Sequence, residues 1–531
     1  MTRVRKQGGH HRAEAPVATG SGQARGHARR WLIYWIVVTA LALLFRVGLI
    51  TAPLLRANPL PVFAGMLYPG DHDDFARWGI QATDRGVLSL YDEPPARHDM
   101  RVWDREKHRW GTTQRQFDRI CNYPPLSVYL LYASGLAFRA ISSDRLINTP
   151  ASLGTFVFWS ILGDFLVAWG CAALVALFRP GWASRLAYAL VLFLPPLWWD
   201  SVVWAQMDSV LLAPAVWMLY AMLRERWLLA GVLWGIAFGL KPQAILFVPL
   251  WGLALLTVRP PWRVLAGGLI AGAVLFVVAL PFTLHGGLAW LDESYRKNLF
   301  GLYADKTTLK AFNIWYLHLL LADSLDAQVK WLGIARGAWG KLFLLAGLLV
   351  SFVFTLWRWR CGRDRRAFVF WTTISLLLFV MLPTEVHERY LILVLPFLGV
   401  AAALTWRMWP GLVLLLIVTM AQVSWPLWLR SGRGQWPEIR ESIAQTFDRE
   451  AATRPGSPEE KQHILERILL TRHQGYRELH QKTATREWTF TLCALVGTAS
   501  ILAAFLTCRP EPAPRTAPSR RTQGRDSALA R

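Results

Sequence analysis

Cysteine is scarce, five in 531 residues (Cys121, Cys171, Cys361, Cys493 and Cys508), and none stands in a Cys-x-x-Cys pair. That spacing excludes a disulfide framework and a zinc ribbon. Acidic residues are also few, 35 Asp and Glu against 58 Lys and Arg, for a net charge of +23. There is no phosphate-cradling glycine loop, no His-Glu-x-x-His pair and no Gly-x-Ser-x-Gly elbow. A nucleotide-driven pump, a zincin and an α/β-hydrolase are thereby disfavoured. No repeat of fixed period is found. No Asn-x-Ser/Thr acceptor site occurs, which favours a bacterial plasma membrane over an endoplasmic reticulum.

What the chain does have is apolar length. Hydrophobic residues make up 54%, Trp occurs 29 times, and mean hydropathy is +0.28. Runs approaching the roughly 20 residues that cross a hydrocarbon core recur, at about 31–54, 152–178, 186–200, 203–222, 227–240, 242–257, 264–283, 340–357, 367–383, 390–406, 410–428 and 487–507. The Trp excess suits many membrane–water boundaries. The expected fold is therefore an all-α polytopic membrane protein, a bundle of about 12 transmembrane helices. Several runs are short, so tilted or broken helices are expected among them. The basic residues crowd into short loops and tails, which matches anionic headgroups and the positive-inside bias. No basic folded module exists to carry nucleic acid.

Charge bias also sets the topology. Segment 125–140 is apolar but only about 16 residues long and opens on a proline pair. If it crossed the membrane, Arg179/Arg185, Arg224/Arg226, Arg259/Arg263 and the run Arg358 to Arg366 would lie outside. If it lies flat on the outer interface, all of them, and the C-terminal arginines, become cytoplasmic. The second arrangement puts both termini in the cytoplasm. It divides the chain into a basic tail (1–30), a transmembrane core (31–428) with a large first extracytoplasmic loop (55–151), a charged extracytoplasmic hairpin (429–486), a last span (487–507) and a basic, disordered tail (508–531). The hairpin breaks at Arg454-Pro455-Gly456-Ser457-Pro458, with Ser457 and Glu460 as a capping box. Residues 1–30 resemble a signal flank, but the long run that follows lacks a cleavage site and reads as an uncleaved span.

Polar residues cluster at those run ends that share the outer face. Asp71, Asp73 and Asp74 follow the first span. Asp73 and Asp74 suit a helix cap, whereas Asp71 precedes the helix proper and is freest to act as a base or bind a cation. Tyr123-Pro124-Pro125 opens the interfacial helix and gives this loop a rigid seat. Asp164, deep in an apolar run, needs a structural partner or a polar cavity. Gln206 and Asp208 follow Trp204 at an outer boundary. Lys241 with Gln243, and Arg389 with His387, form donor groups suited to a phosphate oxygen, with Glu388 beside them on the same face, although a lone cation at a helix end is usually an interface anchor. Asn313 and Trp315, in a segment too short to span, suit contact with a sugar.

The ordered set Gly70-Asp-x-x-x-Phe-x-x-Trp78, Asn122-Tyr-Pro-Pro-Leu126, Asp164, Trp204-x-Gln-x-Asp208, Lys241-Pro-Gln243, Asn313-x-Trp315 and His387-Glu-Arg-Tyr390 resembles the GT-C superfamily of polytopic glycosyltransferases. More closely it resembles bacterial relatives of the GPI-anchor mannosyltransferases, over residues 31–428. The resemblance implies a GT-C-like bundle, Asp71 as catalytic base, a sugar donor on polyprenyl phosphate, a lipid or glycan acceptor of the cell envelope, and inverting transfer. No metal or other cofactor is demanded, although a divalent cation at Asp71, Asp73 or Asp74 is compatible with the residues. The insert 98–119 and the loop 429–486 exceed what the family requires, so acceptor choice does not carry over. Two other readings stand beside this one. A polymerase or ligase of lipid-linked oligosaccharide would use a large late basic loop, as 429–486 is. A transporter would show paired halves with interrupted helices, and none is evident.

Overall fold

The computed structural model describes residues 20–51, 70–104, 109–115, 120–301, 306–309, 311–322, 327–430 and 485–508. The expectations for the 429–486 hairpin and its capping box, and for most of the two tails, lie outside these residues. The chain divides into two units, Met1–Phe45 and Arg46–Arg531. Within the described residues the first is the amino-terminal part of helix α1 (Gly20–Thr51).

The second unit is almost wholly helical. Its helices in chain order are α2 (Gly70–Arg85), α3 (Pro125–Ile141), α4 (Pro150–Ala176), α5 (Trp182–Leu192), α6 (Pro195–Val203), α7 (Asp208–Leu223), α8 (Trp227–Leu240), α9 (Val248–Thr257), α10 (Trp262–Gly286), α11 (Ile314–Ala322), α12 (Arg336–Gly362), α13 (Arg366–Met381), α14 (Leu395–Leu404), α15 (Trp409–Arg430) and α16 (Thr485–Thr507). Among the described residues six helices are long and apolar enough to cross a membrane, seven if the bent pair α5–α6 counts as one span. Six further apolar stretches of 10–17 residues, α3, α7, α8, Pro242–Thr257, α13 and α14, fall short of a full crossing. The polar insert contributes one departure from all-α: strands β1 (His98–Asp104) and β2 (Arg109–Arg115) pair antiparallel, with Val102 opposite Gly111.

Proline decides where the helices break, and the carbonyls it strands are taken up by side chains. Pro195 and Pro196 lack the N–H that would serve Val191 and Leu192. The bundle bends by 41° between α5 and α6, and Arg46 donates to the Leu192 carbonyl at 3.0 Å. At the end of α8, Pro242 leaves the Phe238 carbonyl without a helical donor, and the Tyr295 hydroxyl supplies one at 2.5 Å. Close helix contact rests on small residues. A Cβ on Gly135 of α3 would run into the Gly79 backbone of α2. Gly163 of α4 likewise admits the backbone of Ser209 at the start of α7. The core beneath α2 and α3 is built on Phe75, Trp78, Leu131, Phe138, Phe156 and Leu240.

Candidate active site

The start of α2, the α6–α7 link, the end of α8 and the segment before α14 meet at one cluster. Asp71 is the hub. Its Oδ2 accepts the Trp204 indole N–H at 2.9 Å and the Gln206 amide, and Arg389 lies 3.9 Å away. The Asp71 side chain is 33% exposed and Arg389 15%. Asp71 was expected to precede the helix, but it belongs to the first turn of α2. There the free N–H groups favour a carboxylate.

A local departure from helical geometry presents Trp204 and Gln206. Residues 199–203 form a π-turn, closed by Trp204 N–H to the Trp199 carbonyl at 2.8 Å. Ala205 then takes a left-handed φ of 57°, and Gln206 N–H donates to the Asp200 carbonyl at 2.9 Å. Bulges and left-handed non-glycine residues concentrate at functional sites. The Gln206 amide is oriented from its far side as well: Tyr123 donates its hydroxyl to Oε1 at 3.3 Å, and Ser160 donates to the Gln206 carbonyl at 2.6 Å. Burial drives the Tyr123 phenol pKa well above its ordinary value, outweighing the pull of Arg389, so the hydroxyl stays a donor.

The cations differ in how firmly they are held. Lys241 is buried, hydrogen-bonded to Asp208 and set over the Tyr123 ring at 5.6 Å. Arg389 is held loosely. It stands 3.6 Å from Asp208 Oδ2 and 3.9 Å from Asp71, beyond hydrogen-bond reach, and its Nε has no hydrogen-bond partner. Burial works against its charge, but Asp71 and Asp208 outweigh that and hold its pKa well above the ordinary value. Its segment is fixed by strand-like pairing, Leu309 N–H to Val386 O at 3.0 Å and Glu388 N–H to Leu309 O at 3.1 Å. His387 lies 3.6 Å from the Glu388 carboxylate. Burial alone would raise that group's pKa, but the neighbouring His387 and Arg389 bring it down to about 2.

Other expected site residues lie away from this hub or have their polar atoms engaged elsewhere. Asp164 accepts from Arg46 at 2.9 and 2.8 Å, from Ser201 at 2.7 Å and from Ser209 at 2.5 Å, a fully satisfied buried pair that ties α4 to three neighbours. Asn313 caps α11 by accepting from the Trp315 and Tyr316 N–H groups and donates to the carbonyls of Val380 and Pro383. The Trp315 indole donates to the Leu382 carbonyl at 2.8 Å. Gln243 donates to the Tyr390 hydroxyl at 3.0 Å. Asp73 and Asp74 are buried on α2. So is His72, 3.0 Å from the Ser152 hydroxyl, with burial lowering its pKa to about 3, so the ring is neutral. Among the described residues no three His, Cys, Asp or Glu side chains converge as a metal site. One acid at the cluster was missed from sequence: Asp200, fully buried at the π-turn. Its only signal was a carboxyl group eight residues before Asp208 at the end of an apolar run.

Apolar helices gather around one group of carboxylates, amides and cations, which is the make-up of a polytopic membrane protein with a single polar cluster. Residues 122–383, close to half of the chain, match the model of glycosyltransferase family 87. The central portion of the chain is thus similar to a glycosyltransferase family. Among solved structures, ArnT from Cupriavidus metallidurans, crystallised bound to undecaprenyl phosphate, is similar at 14% identity, covering 89% of this chain and 76% of that one with a TM-score of 0.41. No curated protein matches the chain.

Proposed function

We propose that this enzyme moves a hexose, mannose-like, from a polyprenyl-phosphate donor to a lipid-linked or cell-envelope glycan on the extracytoplasmic face of a bacterial plasma membrane, with inversion. Asp71 takes the proton of the acceptor hydroxyl as that oxygen attacks the anomeric carbon. The bond from that carbon to the phosphate oxygen breaks, and its electron pair leaves with the phosphate. The leaving group is already anionic, so it needs a cation more than an acid. Arg389 suits this role better than Lys241, because Lys241 is committed to Asp208 while Arg389 is loosely held. The donor class rests on the family likeness and on this chemistry. No step in it calls for a metal ion.

The observation that carries the reading is the single carboxylate at the mouth of the cluster. Asp71 has one oxygen fixed by Trp204 and Gln206, and its side chain is more exposed than Arg389, Asp208 or Lys241. Purified enzyme incubated with labelled polyprenyl-phosphate sugars and membrane lipids should yield a labelled product, and Asp71→Asn should not. Transfer from a nucleotide sugar in place of the lipid-linked one would sink the donor assignment.

A further inference from the structure

Asp200 is the one carboxyl at the cluster with no partner. Its side chain is fully buried, and neither oxygen meets a hydrogen-bond donor among the described residues. An ionised carboxylate so placed costs several kcal/mol unless paired. The neighbouring acid has a matching gap: Lys241 takes Asp208 Oδ1, while Asp208 Oδ2 has no hydrogen-bond donor and faces Arg389 at 3.6 Å. Both nearby cations, Lys241 and Arg389, face Asp208, and no ion pair to Asp200 is found among the described residues. Asp164 is balanced by Arg46, and on the loop side His387 lies against Glu388. With every carboxyl ionised, Asp71, Asp200, Asp208 and Glu388 outnumber Lys241 and Arg389 by two negative charges. An anionic phosphate entering that excess would be repelled.

We propose that Asp200 carries a proton at neutral pH, and that this proton lowers the negative charge that an anionic phosphate meets at the cluster. A fully buried carboxyl group that no donor reaches is less costly neutral than ionised. Asp200 is then a positioning residue: it touches no substrate but sets the charge that the Lys241 and Arg389 cations present. The second half of the proposal rests on the reading of these cations as the phosphate site, whereas the buried proton does not.

The infrared spectrum reads the proton directly. The parent enzyme at neutral pH should show the carbonyl band of a buried protonated carboxyl group, and Asp200→Asn should lose it. Absence of that band in the parent overturns the proposal. Polyprenyl phosphate titrated into detergent-solubilised enzyme then reads the coupling. Parent affinity should fall toward alkaline pH by up to about tenfold per pH unit, while Asp200→Asn, permanently neutral, should hold its affinity. The second ionisation of the phosphate itself moves both proteins alike. Equal pH slopes in the two proteins overturn the coupling. If neither protein binds polyprenyl phosphate at any pH, the donor assignment fails while the band still decides the proton. Should Asp200→Asn fail to fold, Asp200→Glu must keep the band at a shifted position, and its loss there overturns the proposal.

Discussion

At the scale of single residues, the hydrogen bonds around Asp71 predict graded effects. Asp71→Asn keeps the shape and the capping ability but not the basicity, so turnover should drop roughly 100-fold or more with normal membrane insertion. Near-normal turnover in Asp71→Asn, with loss in Asp73→Asn or Asp74→Asn, would move the base to a neighbour. Tyr123→Phe removes one bond to Gln206 and leaves the ring packing, so transfer should fall by only about two- to tenfold, the worth of one net hydrogen bond. Arg389→Ala should weaken binding of polyprenyl phosphate more than Arg389→Lys, which keeps the charge but loses the planar fork. Equal phosphate affinity in all three proteins would reduce Arg389 to an interface anchor. Much of this cluster was legible in the sequence because polar residues ending apolar runs stand out. Asp164 and Asn313 stood out equally, yet their atoms are consumed by Arg46, two serines and backbone groups, and sequence spacing does not show such satisfaction. Asp200 was passed over because Asp208 lay close by with a stronger motif around it.

At the scale of elements, two contacts set where the residues of the cluster sit. Gly135→Val should force α3 off the Gly79 backbone and carry α2, and Asp71 with it, out of register. A cost of about 1–3 kcal/mol is expected from such overpacking, seen as lower thermal stability together with lost transfer. Gly154 of α4 has nothing within 4 Å of its Cβ direction, so Gly154→Ala should leave both unchanged. Asp164→Ala strands the buried Arg46 and should cost about 3–5 kcal/mol, whereas replacing both with apolar residues of similar volume should recover much of the loss. The thermal midpoints in detergent of the single and double variants check this. The run positions were readable from hydropathy alone. The π-turn at 199–203 and the left-handed Ala205 were not, since no residue type there demands them; the Gln206 N–H bond to the Asp200 carbonyl is a property of the folded link.

At the scale of the whole molecule, the charge-derived topology puts Cys361 inside and the loop holding Ser143 outside. Cys361 is exposed, so a membrane-impermeant maleimide should label it in inverted vesicles and not in intact cells, while Ser143→Cys should behave oppositely. Labelling of Cys361 from outside would reverse the sidedness and remove the shared outer face. Hydropathy led to an expectation of about twelve spans, several of them short; among the described residues six or seven helices have full crossing length and six apolar stretches are shorter. Short apolar helices and full spans have the same composition, so hydropathy alone does not tell them apart. The chemistry is also divided along the chain in a way that bears on kinship. The family 87 stretch ends at residue 383 and begins at 122, so it contains Gln206, Asp208 and Lys241 but neither Asp71 nor Arg389. Under the proposed roles, the base and the phosphate cation both lie outside the stretch by which the family is recognised, so a match to that stretch alone does not report on either.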